Sequence, residues 1–279
     1  MTDSTHRTLS GRTILMSGGS RGIGLAIAVR AAQDGANVAL LAKTERPHPK
    51  LEGTIHTAAA AIEAAGGQAL PIVGDVRDEA SVTQAVARTV ERFGGIDVVV
   101  NNASAIDLSK TPDLPMKRYD LMQDINTRGS FLLAKTAQPH LGRSGAAHIL
   151  TLSPPLNLNP QWAGRHLGYT IAKYGMSLVT LGLAEELRGQ GIAANSLWPR
   201  TTIATAAVRN LLGGEEVVAR SRIPEIMADA AHEILTRDPR ECTGHFFIDD
   251  EVLAEAGVTD LSRYGGPEQT LERDIFLDE

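Results

Sequence analysis

Ser17-Gly18-Gly19-Ser20-Arg21-Gly22-Ile23-Gly24 lies near the start of a chain of 279 residues. Thr13-Ile14-Leu15-Met16 ahead of it is an apolar run of strand length. Leu25-Ala26-Ile27-Ala28-Val29-Arg30-Ala31-Ala32 behind it has the alanine content of a buried helix. A glycine turn between strand and helix is a phosphate cradle. Glycines let the backbone approach a pyrophosphate, and the first N–H groups of the helix lack internal partners and carry the positive end of its dipole. A tight turn that merely needs glycine for positive φ would read the same in isolation.

Outward from the turn, strand-like and helix-like stretches alternate. Apolar runs at 37–42, 69–73, 96–100, 147–152, 192–197 and 245–248 read as strands. Helical patterns fall at 57–65, 79–93, 168–187 and 228–235, and Pro115 opens a long helix reaching about residue 141. The strands are continuous apolar runs rather than alternating ones, as in a parallel sheet covered on both faces. The expected fold class is α/β, a Rossmann-type doubly wound parallel sheet in a single domain over 11–250. Residues 1–10 read as a flexible N-terminal tail and the acidic 251–279 as a C-terminal tail. The mixed stretch 199–224 reads as a mobile substrate loop with short helices, and the segment around Pro47, His48 and Pro49 is too polar for core.

Composition excludes several classes. A net charge of −6 argues against nucleic-acid binding, and 43% hydrophobic residues suffice for a large core. No apolar run reaches the ~18 residues of a membrane span, and the polar N-terminus holds no signal core. One cysteine, Cys242, rules out an internal disulfide and suits a reducing compartment, so a cytoplasmic location is expected. The eight histidines show no metal-ligand spacing, so no metal is expected.

In a doubly wound sheet the ligand binds at the carboxyl ends of the strands. After the second strand come Ala42 and Lys43, with no carboxylate before Glu45. An acidic residue there would suit the ribose 2′-OH of NAD, whereas cations suit a 2′-phosphate. Lys43 together with Arg21 therefore favours NADP(H) over NAD(H), although either alone could be a solvated surface charge. Asp75-Val76 follows the third strand; Asp75 is placed to accept a hydrogen bond from an adenine amino group or to cap the next helix. Asn101-Asn102-Ala103 follows the fourth, where amides can brace the neighbouring strand ends and a cofactor ribose. Tyr169 and Lys173, four residues apart, share one helix face. A phenol near pKa ~10 is a poor acid–base group at neutral pH, and a nearby ammonium lowers it. Hydride transfer to a carbonyl needs such a proton donor.

These residues together resemble the short-chain dehydrogenase/reductase family over residues 10–250. The resemblance is carried by the glycine turn, Asp75, Asn101-Asn102-Ala103, Asn126, Tyr169-x-x-x-Lys173 and Asn195 through Pro199. Ala42-Lys43-Thr44, Pro47-His48-Pro49-Lys50, Asn126-Thr127-Arg128-Gly129 and the run Leu152-Ser153-Pro154-Pro155 through Pro160 resemble its hydroxysteroid dehydrogenase-like 2 group. The resemblance implies Tyr169 as general acid or base, Lys173 as its aid and a ribose ligand, and Asn126 as holder of a relay water. It implies dinucleotide binding by Ser17 through Gly24, Lys43, Asp75, Val76, Asn102 and Ala103, with Pro199 and Thr201 beside the nicotinamide. It implies a small-molecule substrate, lipid-like or otherwise hydrophobic, and a homo-oligomer, a dimer or tetramer, paired through the helices at 115–141 and 168–187. It also implies that the sterol-carrier domain of the group's animal members is missing from this chain.

Three departures stand out. Pro154 occupies the place where the family carries a substrate-binding serine, leaving Ser153 one residue off, and side chains alternate direction along an extended run. The gap from Ser153 to Tyr169 is longer than the family's. Arg200 replaces the glycine that follows the proline, facing either a ligand or solvent. His166, Trp162 and Trp198 flank the substrate side, as pocket walls or as packing. The leading reading is an NADP(H)-dependent oxidoreductase; a dinucleotide-binding redox sensor or scaffold with little catalysis, or a subunit of a lipid-handling complex, are the other readings.

Overall fold

The computed structural model describes residues 7–47, 52–266 and 270–278, with the side chains at 211 and 212 left aside. His48, Pro49, Lys50 and the first six residues of the expected N-terminal tail lie outside the described residues.

Seven strands form one parallel sheet in the order β3-β2-β1-β4-β5-β6-β7. They are β1 (Thr13–Ser17), β2 (Asn37–Ala42), β3 (Gln68–Val73), β4 (Val98–Asn101), β5 (His148–Thr151), β6 (Ala193–Trp198) and β7 (Phe246–Ile248). The order reverses between β1 and β4, and Ser17 is in register with Leu41 on one side and Asn101 on the other. That reversal opens a crevice at the carboxyl ends of β1 and β4, where doubly wound folds hold ligands. Pro71, which has no N–H to give, sits in edge strand β3 opposite Leu40.

The helices are α1 (Gly22–Gln33), α2 (Ile55–Ala64), α3 (Glu79–Phe93), α4 (Met116–Met122), α5 (Gly129–Leu141), α6 (Pro160–Arg165), α7 (Leu167–Glu186), α8 (Ala206–Val208), α9 (Gly214–Ala219), α10 (Glu225–Leu235) and α11 (Asp249–Glu255). The pleat sends alternate strand residues to opposite faces. Ile14, Met16, Val38, Leu40 and Leu150 thus pack with α1, α2 and α10, while Leu15, Ala39, Val99 and Ile149 pack with α3, α5 and α7. Both faces are covered, which is why the strands read as unbroken apolar runs.

The long helix expected from Pro115 is present, but a wide π turn over Gln123–Arg128 joins α4 to α5. The cap of α3 is Asp78, whose carboxylate accepts from the Ser81 amide at 3.0 Å, so the helix-capping alternative for Asp75 does not hold. The stretch 199–224 carries α8 and α9, as its mixed signals suggested. The acidic stretch after 250 carries most of α11, and its described end folds back across the sheet, where Thr201 pairs with Arg273.

Candidate active site at the carboxyl ends of the strands

The glycine turn leaves β1 with Gly18, Gly19 and Gly22 at φ of 79°, 85° and 57°. These are left-handed values that side chains resist. A Cβ on Gly18 would stand 2.5 Å from Nδ2 of Asn102, and one on Gly24 equally close. Asn102 is held by its own bonds: its amide nitrogen and that of Ala103 donate to the Ser17 hydroxyl at 3.2 Å, and its Nδ2 donates to the Ser17 carbonyl at 3.1 Å. The turn is thus pressed against the β4 end, with Ser20 buried beneath it. Arg21 precedes α1 in extended conformation without a side-chain cap, so the first-turn amides of α1 remain available. A groove of about 1620 Å³ runs past Arg21, Gly22, Ile23, Asn102, Ser104 and Thr205. Open amides, glycines without room for Cβ atoms and a groove at the strand reversal fit a dinucleotide.

At the ends of β2 and β3, Lys43 Nζ lies 3.0 Å from Asp75 Oδ2. Arg77, which sequence reasoning passed over, grips the same carboxylate at 2.7 Å. Hydrogen bonds from Arg77, then from Lys43, hold the Asp75 carboxyl well below its usual range despite partial burial. Asp75 is therefore shared by two cations, one of which, Arg77, also feels the Asp124 carboxylate. Arg21 donates to the Gly53 carbonyl at 3.0 Å, and its buried Nε has no partner among the described residues. Val76 is buried and touches the place of Gly129.

Tyr169 and Lys173 stand one turn apart on α7, both buried. Lys173 Nζ donates to the Leu152 carbonyl just past β5 at 2.8 Å and lies 5.1 Å from the Trp198 ring centre. Asn126 sits in the π turn, which rotates it inward. Its side chain accepts from the Ala105 amide at 2.8 Å and donates to the Ala105 carbonyl at 3.0 Å, pinning the loop after β4. Neighbouring Thr127 donates to the Ala172 carbonyl at 3.0 Å, tying the same turn to α7. Ser153 is fully buried and its hydroxyl has no partner among the described residues. Pro154 is buried beside it, its carbonyl accepting from Ser177 at 2.6 Å.

Electrostatics at the pair differ from a simple lysine-assisted phenol. Burial pushes the Tyr169 phenol well above its ordinary value, the Asp274 carboxylate adds to the rise, and the Ser104 hydroxyl opposes it. Burial pulls the Lys173 ammonium down to about 7, against the pull of Asp274. Asp274 itself is pushed up to about 7 by burial. The lowering of the Tyr169 pKa expected from Lys173 is absent from this arrangement, because desolvation dominates.

Asp274 belongs to the chain's end, which lies over the site. Phe276 is 1% exposed, and its ring centre lies 6.2 Å from Tyr169, 5.3 Å from Tyr174, 5.9 Å from Trp198 and 6.3 Å from Trp162. Trp162 and Trp198 are thus walls of one aromatic box. The Tyr169 side is closed off, and the groove along the glycine turn reaches Ser104 but is not lined by Tyr169 or Lys173. Pro199 is buried, and Thr201 is paired with the folded-back segment, its hydroxyl without a partner among the described residues. Thr205, which caps α8 at 3.4 Å, is the loop residue that faces Gly22.

Arg200 is engaged by acidic neighbours. Its amide donates to Asp249 at 2.8 Å and its guanidinium binds Asp250 and Glu251. His166 bonds the Leu108 carbonyl at 2.6 Å and His148 the Arg237 carbonyl at 3.1 Å, both in packing roles.

Residues 12–215 match the short chain dehydrogenase family. The chain is 56% identical over 272 residues to hydroxysteroid dehydrogenase-like protein 2 of Xenopus tropicalis, covering 97% of this chain and 64% of the relative. Against the human protein of that name the identity is 53%, with the same coverage of both chains. The chain thus spans somewhat less than two thirds of the length of these relatives. A crystal structure of a short chain dehydrogenase from Mycobacterium thermoresistibile superposes with a TM-score of 0.92 at 58% identity, covering 97% of this chain and 96% of that one. With its seven-stranded parallel sheet, its glycine turn and this likeness along nearly its whole length, the chain belongs to the short-chain dehydrogenase/reductase family of oxidoreductases and is similar to the hydroxysteroid dehydrogenase-like 2 proteins.

Proposed function

We propose that this protein is an NADP(H)-dependent oxidoreductase that interconverts a carbonyl and an alcohol on a lipid-like or other small hydrophobic substrate. The observation that carries the reading is the buried Tyr169–Lys173 pair set against an aromatic box at the carboxyl ends of the strands. The bound nicotinamide supplies or accepts the hydride. Tyr169, kept protonated by its raised pKa, donates the proton to the substrate oxygen in the reductive direction. Lys173, one turn away with its pKa lowered to about 7, is charged in only part of the population at neutral pH, and in that form is the proposed counter-charge to the phenolate left behind. Asn126 fixes the loop after β4 through Ala105, and Ser153, with its hydroxyl free, is the proposed second donor to the substrate oxygen.

The preference for NADP(H) is supported by Lys43 and Arg77, which share Asp75, and by Arg21 in the glycine turn. A homo-oligomer paired through the long helices is supported by exposed Leu167, Ile171, Leu178 and Leu181 on α7 and by Met116 and Phe131 beside them. No described helix is long and apolar enough to cross a membrane, and the buried Cys242 suits the cytoplasm proposed as the location.

The test is NADPH and NADH turnover across a panel of aliphatic, steroid and aromatic ketones. NADPH-dependent reduction that disappears in Tyr169→Phe supports the proposal. Tight NADPH binding without turnover of any member would instead support the redox-sensor reading.

A further inference from the structure

Residues 272–278 are bound to the site more thoroughly than a trailing segment requires. Thr202 donates to the Glu272 carbonyl at 2.8 Å, and Trp198 Nε1 donates to the Ile275 carbonyl at 3.0 Å. Asn157 donates to the Phe276 carbonyl at 3.1 Å. Phe276 fills the aromatic box at φ 75°, a left-handed value that a phenylalanine adopts only when held there.

Beyond the box, the Asp278 carboxylate sits in a cradle. Oδ1 accepts from Trp162 Nε1 at 2.9 Å, Gln161 Nε2 at 3.1 Å and Asn159 Nδ2 at 3.2 Å, and Oδ2 accepts from Asn157 Nδ2 at 2.9 Å. All four donors come from the 157–162 stretch. They hold the Asp278 carboxyl below its usual range, Asn157 and Trp162 foremost. Every side-chain donor to this carboxylate is neutral; Arg273 donates to the Asp278 main-chain carbonyl at 2.9 Å, and Arg165 lies over the Trp162 ring at 4.8 Å. Neutral amide and indole donors suit a single negative charge; a phosphate dianion calls for bonded arginine or lysine.

A general acid must come within hydrogen-bond reach of the oxygen it serves. Tyr169 is 5% exposed and the Phe276 ring lies against it, so no substrate reaches the phenol while this segment is seated. We propose that residues 275–278 occupy the substrate site as an internal surrogate. The site takes an amphipathic carboxylate, with its apolar body in the place of Phe276 and its anionic end in the cradle of Asn157, Asn159, Gln161 and Trp162, and such a substrate enters by displacing the segment. This rests on reading Tyr169 as the group that faces the substrate.

The chain's two tryptophans are Trp162 and Trp198, and both touch the segment. Their fluorescence therefore reports displacement without any turnover. The experiment titrates the full chain with decanoate and with decanamide, its uncharged counterpart. Decanoate is expected to give a saturable change at about tenfold lower concentration than decanamide, the scale of a charged hydrogen-bond acceptor. Asp278→Ala, at an exposed position that does not threaten the fold, is expected to tighten decanoate several-fold by removing the internal competitor. Asn159→Leu with Gln161→Leu is expected to erase the preference for decanoate. Trypsin cleavage after the exposed Arg273 is expected to accelerate on adding decanoate. Equal binding of the two compounds, or decanoate affinity unchanged by Asp278→Ala, would overturn the proposal. Ketone turnover measured in parallel separates the two readings: loss of the preference with Tyr169-dependent turnover intact sinks the surrogate alone, and the preference without turnover sinks the proposed activity alone.

Discussion

The rings of Phe276 and Tyr169 are stacked 30° from parallel with centres 6.2 Å apart, so Phe276 covers the Tyr169 ring, which is 5% exposed. Tyr169→Phe keeps that stack and removes only the hydroxyl. Turnover is expected to fall by roughly 10²–10⁴-fold, the usual size of a general-acid contribution. Thermal stabilisation by NADPH is expected to persist, and differential scanning fluorimetry with and without cofactor checks it.

Lys43 is 59% exposed and its partner Asp75 is shared with Arg77. Lys43→Glu puts a carboxylate at the end of β2. The KM for NADPH is expected to rise about tenfold or more while that for NADH changes little or falls, the sign expected when a 2′-phosphate loses a cation. Steady-state kinetics with both cofactors decide it. Equal effects on the two would remove Lys43 from cofactor choice.

Gly24→Ala forces a methyl to within 2.5 Å of the Asn102 amide, which is itself bonded to the Ser17 carbonyl. Either α1 shifts or the β1–β4 brace breaks. A loss of about 1–3 kcal/mol is expected from such overpacking, and the NADPH-induced thermal shift is expected to shrink with it. Chemical denaturation and fluorimetry on the same variant check both.

Asp249 is fully buried and accepts from the Arg200 amide, and burial pushes its carboxyl up to about 7 from the ordinary 3.8. Between those values the folded state holds a proton that the unfolded state has lost. Stability contributed by this group is therefore intact at acid pH and falls as pH rises from about 4 toward 7. Asp249→Asn keeps an oxygen for the Arg200 amide and removes the charge. It is expected to leave the midpoint unchanged near the acid end and to raise it at neutral pH and above. Thermal melts across that range measure the change in slope.

What the sequence makes legible here depends on range. The glycine turn and the Tyr169–Lys173 pair are local spacings, and spacing alone puts them on a turn and on one helix face. The strands are legible because covering both faces leaves them apolar throughout. Asp75 and Asp78 are both plausible helix caps by composition; only the geometry that brings Asp78 to the Ser81 amide chooses between them. Arg77 escapes notice because a surface arginine two residues from a carboxylate has no pattern. Phe276 and Asp278 reach partners more than a hundred residues away in sequence, so no periodicity announces them. The π turn around Asn126 is equally silent, since one residue too many in a helix leaves no mark in composition.

Pro71 has a consequence for how copies of this protein meet. Edge strand β3 cannot offer a full row of donors to an incoming strand, and the opposite edge, β7, is three residues long. A sheet stopped at both rims in this way resists continuing into a neighbouring molecule. The helical flanks, with exposed Leu178 and Leu181 on α7, remain as the apolar surface through which copies would meet.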